Sequence, residues 1–385
     1  MEHVAVSLKS LGLQRFLDPD SKQEHPNAPC FPTRPAKLPR TLPENFQPEQ
    51  LCKANPHPRD AHLSFEEETH SYRWKGKQVS TSATQLIERH VPPFEPFKII
   101  KAMKNSSWWP RPGYLRSEVP DQTWSSLPNL PTWMPLRNAL KQRPRDEEAL
   151  CLLLSEARDM AAEDEEDHQH LTHLFDSLCM SETEILEKWE EAKETGAREG
   201  TWMHAQFECL LNGGCVPTLT PEVQLLARFL RSQEDLRVYR TEWRIYADKE
   251  DIAGSIDFVG IRPDSTKVLV DWKRTSRMQH RHDAFGRFMQ PPVHNLPDCA
   301  LWHYRLQLNI YRHILQQYYG EVVSDMYVVG TNPDNDPEPF VDCVPVLKEE
   351  THALFATCIS NKDVEVPDAG TQKPTAETES HNLRK

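Results

Sequence analysis

The chain has 385 residues, 38% of them hydrophobic, and a formal net charge of -13. That is enough apolar material for one large domain or two modest ones. The acidic balance argues against a protein that coats DNA by bulk charge, although an average does not describe a local channel.

The nine cysteines are scattered without CxxC pairs, Cys209 and Cys215 being the closest. They imply no disulfide framework, and reduced thiols in an intracellular protein are expected. No apolar run approaches the ~20 residues of a membrane span. The first stretch, MEHVAVSLKSLGLQRFLDPD, lacks a secretory apolar core, and Asp18 and Asp20 weigh against a mitochondrial presequence, with which residues 1–16 alone are weakly compatible. The compartment stays open among nucleus, cytoplasm and mitochondrion.

Many of the 32 prolines crowd residues 26 to 58, where neither helix nor central strand is expected to persist. Residues 1–58 therefore read as a disordered or extended leader, with folding expected to begin near Arg59. Next, LSFEEETHSYRWKGKQVSTSATQLIERHVPP alternates like a hairpin turning near Lys75-Gly76, then offers Ser80 or Thr81 as the N-cap of a helix. From 105 to 134 the chain is dense in Trp and Pro and has no period. It is read as the start of a helical insertion spanning about 105–180, in which the aromatic residues need burial or a ligand. Between Arg145 and Glu194 the pattern is helical and acidic, with EDEED at 163–167, as on a solvated helix face or a surface for a protein partner.

From Glu187 to Leu211 the pattern is helix, glycine break, second helix, with His204 and Glu208 on one face. A helix over 221–233 and a strand VYRTEWRIYA precede the hairpin GSIDFVGIRPDSTKVLVDWKRTS, which turns at Pro263-Asp264-Ser265. Then come a loop of about 25 residues, long enough to suggest function, a helix WHYRLQLNIYRHILQQYYG and a strand EVVSDMYVVG. The tail, about 361–385, is expected to be flexible. This order of helix, strands, helix and strand describes an α/β core.

The hairpin carries charges in strand positions. Period two puts Val268, Val270 and Trp272 on one face of the second strand and Leu269, Asp271 and Lys273 on the other. Asp271 and Lys273 alone would make a surface ion pair worth ~0–1 kcal/mol. With Asp257 on the neighbouring strand, Asp271 could instead converge on a hard divalent cation.

Taken in order, GTWMH ending at His204, Glu242 in TEWRIY, Asp257 in GSIDFVG, Asp271-Trp272-Lys273 and Gln307 with Tyr311 form a series that resembles the RecB-like branch of the PD-(D/E)XK nucleases. The likeness spans roughly residues 62 to 335 and extends to the size and motif order of the mitochondrial genome maintenance exonucleases. It implies a restriction-endonuclease-like domain over 59–360: a central mixed β-sheet flanked by helices, with the helical insertion. It implies a site for Mg²⁺ or Mn²⁺ made by His204, Asp257, Asp271 and the carbonyl of Trp272. It further implies Lys273 as catalytic lysine, Glu242 as an acid arranging metal or water, and Gln307 and Tyr311 positioning the site or the DNA, joined by Tyr304. A histidine ligand favours Mn²⁺ somewhat. Relatives with an iron–sulfur cluster need a closely spaced cysteine set after the last helix. Only Cys343 and Cys358 follow Tyr311 here, so no cluster is expected.

Arg274, Arg277 and Arg281 follow the lysine in a stretch with few acids and could meet phosphates, while Phe285 and Phe288 could stack on single-stranded DNA or anchor their loop. The implied function is a metal-dependent DNA nuclease, a single-strand-preferring exonuclease in repair, recombination or replication. A catalytically silent nucleic-acid-binding module of the same fold and an RNA-directed nuclease are the alternatives.

Overall fold

The computed structural model describes residues 50–117, 133–142, 146–161, 165–214, 220–275, 278 and 286–362. They form two compact units, one drawn from residues up to 91 and from 207 onward, the other from residues 92–206. The boundary falls inside a continuous helix, between Gln206 and Phe207.

In the larger unit, order begins before Arg59. Gln50–Ala54 is a short helix, α1, with Leu51 buried. Asn55 donates to the carbonyl of Tyr239 at 2.9 Å, and Asp60 receives the Arg240 guanidinium at 2.7 Å. Proline crowding overstated the leader because the stretch between Pro48 and Pro56 contains no proline and can turn helically. The remainder of the expected leader lies outside the described residues.

Three short strands follow as an antiparallel meander: β1 Leu63–Glu66, β2 Ser71–Trp74 and β3 Lys77–Gln78. The last turn is at Lys75-Gly76, where both residues have positive φ, as a tight two-residue hairpin loop requires. Thr81–Ser82 (β4) then leads into helix α2, Ala83–Glu88, whose N-cap is Ser82 in a capping box with Gln85. Neither Ser80 nor Thr81 caps it. The Ser80 hydroxyl is bound to the carbonyl of Asp251, and Thr81 is paired in the sheet.

The main sheet contains β4, β5 (Arg237–Ala247), β6 (Ile252–Ile261), β7 (Lys267–Lys273), β8 (Val323–Gly330) and β9 (Phe340–Cys343). Its order is β4-β6-β7-β8-β9, with β5 also paired to β6. The sheet is mixed: β4–β6 and β7–β8 are parallel, the other pairs antiparallel. Helix α9, Ala300–Tyr318, shares a core with α2 and with α10, Lys348–Lys362, on one face. On the other, Trp272 packs edge-on to Phe229 of α8 (Pro221–Ser232) and to Phe207 of α7 (Glu182–Leu211). The unit is therefore α/β, a mixed sheet flanked by helices. β9 and α10 have no counterpart in the sequence reading. β9 is only four residues long and gains its structure by pairing with β8.

The smaller unit is helical: α3 Pro96–Lys104, α4 Met134–Lys141, α5 Glu147–Ala161, α6 Glu165–Leu178 and the first part of α7. Trp109 and Trp133 are buried in its core with Ile100, Leu136, Leu154, Leu174 and Ile185. The Trp-rich stretch thus supplies core side chains, although Trp108 is exposed. Helix α7 runs unbroken through Gly196 and Gly200 for 30 residues, where a glycine break was expected. A glycine costs a helix only about 1 kcal/mol relative to alanine. The start of α7 is held by Ser181 and Glu184, each side chain hydrogen-bonded to the other's backbone N–H. No helix among the described residues is long and apolar enough to cross a membrane.

Candidate metal centre

Strand β6 pairs with β5 along its whole length on one edge. On the other edge it meets β4 at Ile252 and Ala253, and β7 only from Phe258 onward. Residues 254–257 lie in the fork between those partners. The end of β7 leaves β6 there and stays with β8, Asp271 to Lys273 pairing with Val328 to Gly330. Trp272 thereby has a backbone N–H with no ladder partner on the β6 side, and it donates to Oδ2 of Asp257 at 2.9 Å. One carboxylate oxygen of Asp257 is fixed by this bond.

A second carboxylate converges on Asp257. One carboxylate oxygen of Glu242 lies within 4.8 Å of one of Asp257, and both residues are half-buried. His204, expected as a ligand, lies on the part of α7 that belongs to the smaller unit. Glu242 has a φ of 45°, uncommon for a residue with a side chain. Its Oε2 accepts from the Ser255 hydroxyl at 3.0 Å. Donors about 2.0–2.5 Å from a shared cation stand no more than about 5 Å apart, so the pair fits a divalent ion that prefers oxygen ligands. Asp271, named with His204 and Asp257 by the sequence reading, is not part of this pair. Its carboxylate is 2.8 Å from Nζ of Lys273.

Leu269 lies in the α9-side core, Trp272 faces α7 and α8, and Lys273 lies 4.6 Å from the ring centre of Tyr304 on α9. The two faces of β7 are those that period two predicts. Burial would lower the Lys273 pKa, but the charges of Asp271 and Asp257 outweigh it and hold the ammonium above the ordinary lysine range. Burial pushes the Tyr304 hydroxyl up, partly offset by Lys273.

On α9, Gln307 donates to the Tyr311 hydroxyl at 2.8 Å and reaches Thr84 of α2 at 3.5 Å. The Tyr311 ring lies against the backbone of Gly254 in the fork. Gln307 and Tyr311 are therefore joined to each other and to the motif strand.

The expected nucleic-acid residues fare differently. Arg274 binds the buried Glu222 on α8 at 2.9 Å and is nearly buried itself, so its charge serves the packing of α8 on β7. Phe288 is exposed and sits in an isolated bridge with Pro297. Arg277, Arg281 and Phe285 lie outside the described residues. Ser255 and Glu222 were not singled out in the sequence. Ser255 had a signal, standing two residues before Asp257 on a strand and so on its face; Glu222 had none. No protein-family model matches the chain, and no curated protein matches it.

Proposed function

We propose that the larger unit is a metal-dependent nuclease of the PD-(D/E)XK type, RecB-like, which hydrolyses DNA phosphodiesters as a single-strand-preferring exonuclease. The observation that carries this reading is the fork in β6, where Glu242 and Asp257 bring carboxylate oxygens within 4.8 Å of each other beside an Asp271–Lys273 pair.

Glu242 and Asp257 would hold Mg²⁺ or Mn²⁺, with Asp271 at the neighbouring strand end. The bound ion would supply positive charge to a phosphoryl oxygen and ease deprotonation of water. The chain's own groups do the rest. The Trp272 N–H orients Asp257, and the Ser255 hydroxyl orients Glu242. Asp271 holds the Lys273 ammonium at 2.8 Å, where a fixed cation meets the negative charge that builds in phosphoryl transfer. Gln307 and Tyr311 brace the fork from α9.

The test uses purified protein with end-labelled linear single strands, duplexes and covalently closed single-stranded circles, with Mg²⁺ or Mn²⁺. Cleavage of the linear single strand, lost in Asp257→Asn, is the expected result. No cleavage of any DNA by the native chain under either metal would overturn the reading, and circles cut as fast as linear strands would replace the exonuclease with an endonuclease. An RNA strand run in parallel decides between DNA and RNA.

A further inference from the structure

Beside the fork lies a strip of rings and one cation that the proposed chemistry does not use. Phe65 and Tyr72 are directly opposite across β1 and β2, with ring centres 4.7 Å apart. His70 stacks on Phe65 at 5.7 Å. The meander is anchored at its other end, where Trp74 stacks on Tyr246 at 4.6 Å and Leu63 is buried with Ala253. Phe65 and Tyr72 stay half-exposed, and His70 is exposed.

Arg244 of β5 holds its guanidinium 5.4 Å from the Phe65 ring centre. It is exposed, and among the described residues it makes no ion pair. In a chain of net charge -13, an exposed guanidinium that no carboxylate neutralises in an ion pair among the described residues is a place where an anion can bind. Arg244 stands opposite Ser255 in the β5–β6 register and two residues from Glu242, the pair linked by hydrogen bond in the candidate metal centre.

We propose that the meander is the wall along which a DNA single strand reaches the fork, with Arg244 taking a backbone phosphate and the ridge of His70, Phe65 and Tyr72 receiving bases. The proposal rests on the nuclease reading and deepens it. Its chemistry selects a single strand: exposed rings stack on unpaired bases of any sequence, whereas a duplex keeps its base faces inside. Arg73, on the opposite face of β2 and exposed, lies outside this path.

The test is fluorescence anisotropy of a labelled oligothymidylate and of a hairpin duplex in EDTA, so that binding is read without cleavage, across a salt series. Native protein is expected to bind the single strand about tenfold more tightly than the duplex. Arg244→Gln should raise Kd several-fold and make the log–log salt slope shallower by about 0.7, the loss of one phosphate contact on a single strand. Arg244→Lys should keep the slope. Tyr72→Leu should raise Kd at unchanged slope, Tyr72→Phe should not, and Arg73→Gln should behave as native. Circular dichroism checks that each variant is folded.

Equal binding of duplex and single strand would overturn the proposal, as would native Kd and slope in folded Arg244→Gln. If the native chain cleaves DNA while these variants bind normally, only the wall is wrong. If it neither binds nor cleaves DNA, the nuclease reading fails first.

Discussion

Gly254 of β6 and Tyr311 of α9 meet with no room for a side chain between them: a Cβ on Gly254 would stand 3.0 Å from Cζ of Tyr311 and closer still to Cε1. The glycine is required here by close approach, since an aromatic ring must lie flat against the strand where the candidate site is built. Overpacking of this kind costs about 1–3 kcal/mol. Gly254→Ala is expected to lower the melting temperature and the cleavage rate together, and adding Tyr311→Leu should recover part of the stability but not the activity. A native melting temperature in Gly254→Ala would contradict this packing.

The resemblance implies Asp271 as a ligand beside Asp257, whereas the geometry of the larger unit brings Glu242 to Asp257. Calorimetric Mn²⁺ titration separates them: Glu242→Gln is expected to lose at least about tenfold in affinity, as even outer partners of a metal site do, and Asp271→Asn to lose less. The reverse order would restore Asp271 as the principal ligand.

Both Asp271→Asn and Lys273→Ala should abolish hydrolysis with the fold retained. Lys273→Ala carries the larger stability loss, up to about 3 kcal/mol, because it leaves a buried carboxylate without its lysine. Denaturant unfolding of the two variants measures the difference, and retained cleavage in either would remove the pair from the mechanism.

Arg274 was expected on DNA and is found on Glu222, whose side chain is fully buried. Arg274→Gln should therefore cost about 3 kcal/mol of stability and leave the salt dependence of DNA binding unchanged. A DNA-contacting arginine would show the opposite: near-native stability and a shallower salt slope.

Glu184 in the smaller unit has a pKa lowered from 4.5 to about 2, first by hydrogen bonds from Arg116 and then by the Ser181 backbone. A carboxylate with a depressed folded pKa adds stability above its unfolded value, near 4.5, and that stability is lost as pH falls towards 2. The side chain is 39% exposed, so solvent screening limits the effect to about 1 kcal/mol. Glu184→Gln can still cap α7 but loses the ion pair. Its melting temperature should lie below native at neutral pH, with the gap closing between pH 5 and 2; a gap constant with pH would mean that the charge contributes nothing.

Local order was legible in the sequence. Alternation separates the faces of β7, Lys75-Gly76 and Pro263-Asp264-Ser265 mark turns, and four-residue spacing sets Gln307 beside Tyr311. These features depend on neighbours two to four residues away, and the strand and helix periods report them directly. The same locality explains the errors. Proline counting extended the leader over Gln50–Ala54, and two glycines suggested a break in α7 that a long, capped helix absorbs.

Partners far along the chain were decided by tertiary structure alone. β7 separates from β6 beyond the Val270–Phe258 pair because its end remains with β8, and only that divergence turns the Trp272 N–H onto Asp257. Glu242 joins Asp257 through a backbone turned to positive φ and a hydroxyl from the next strand. Arg274 finds Glu222 across 52 residues of sequence. A periodic pattern states which face a side chain occupies; what it meets there depends on which strands pair, for how long, and where they part.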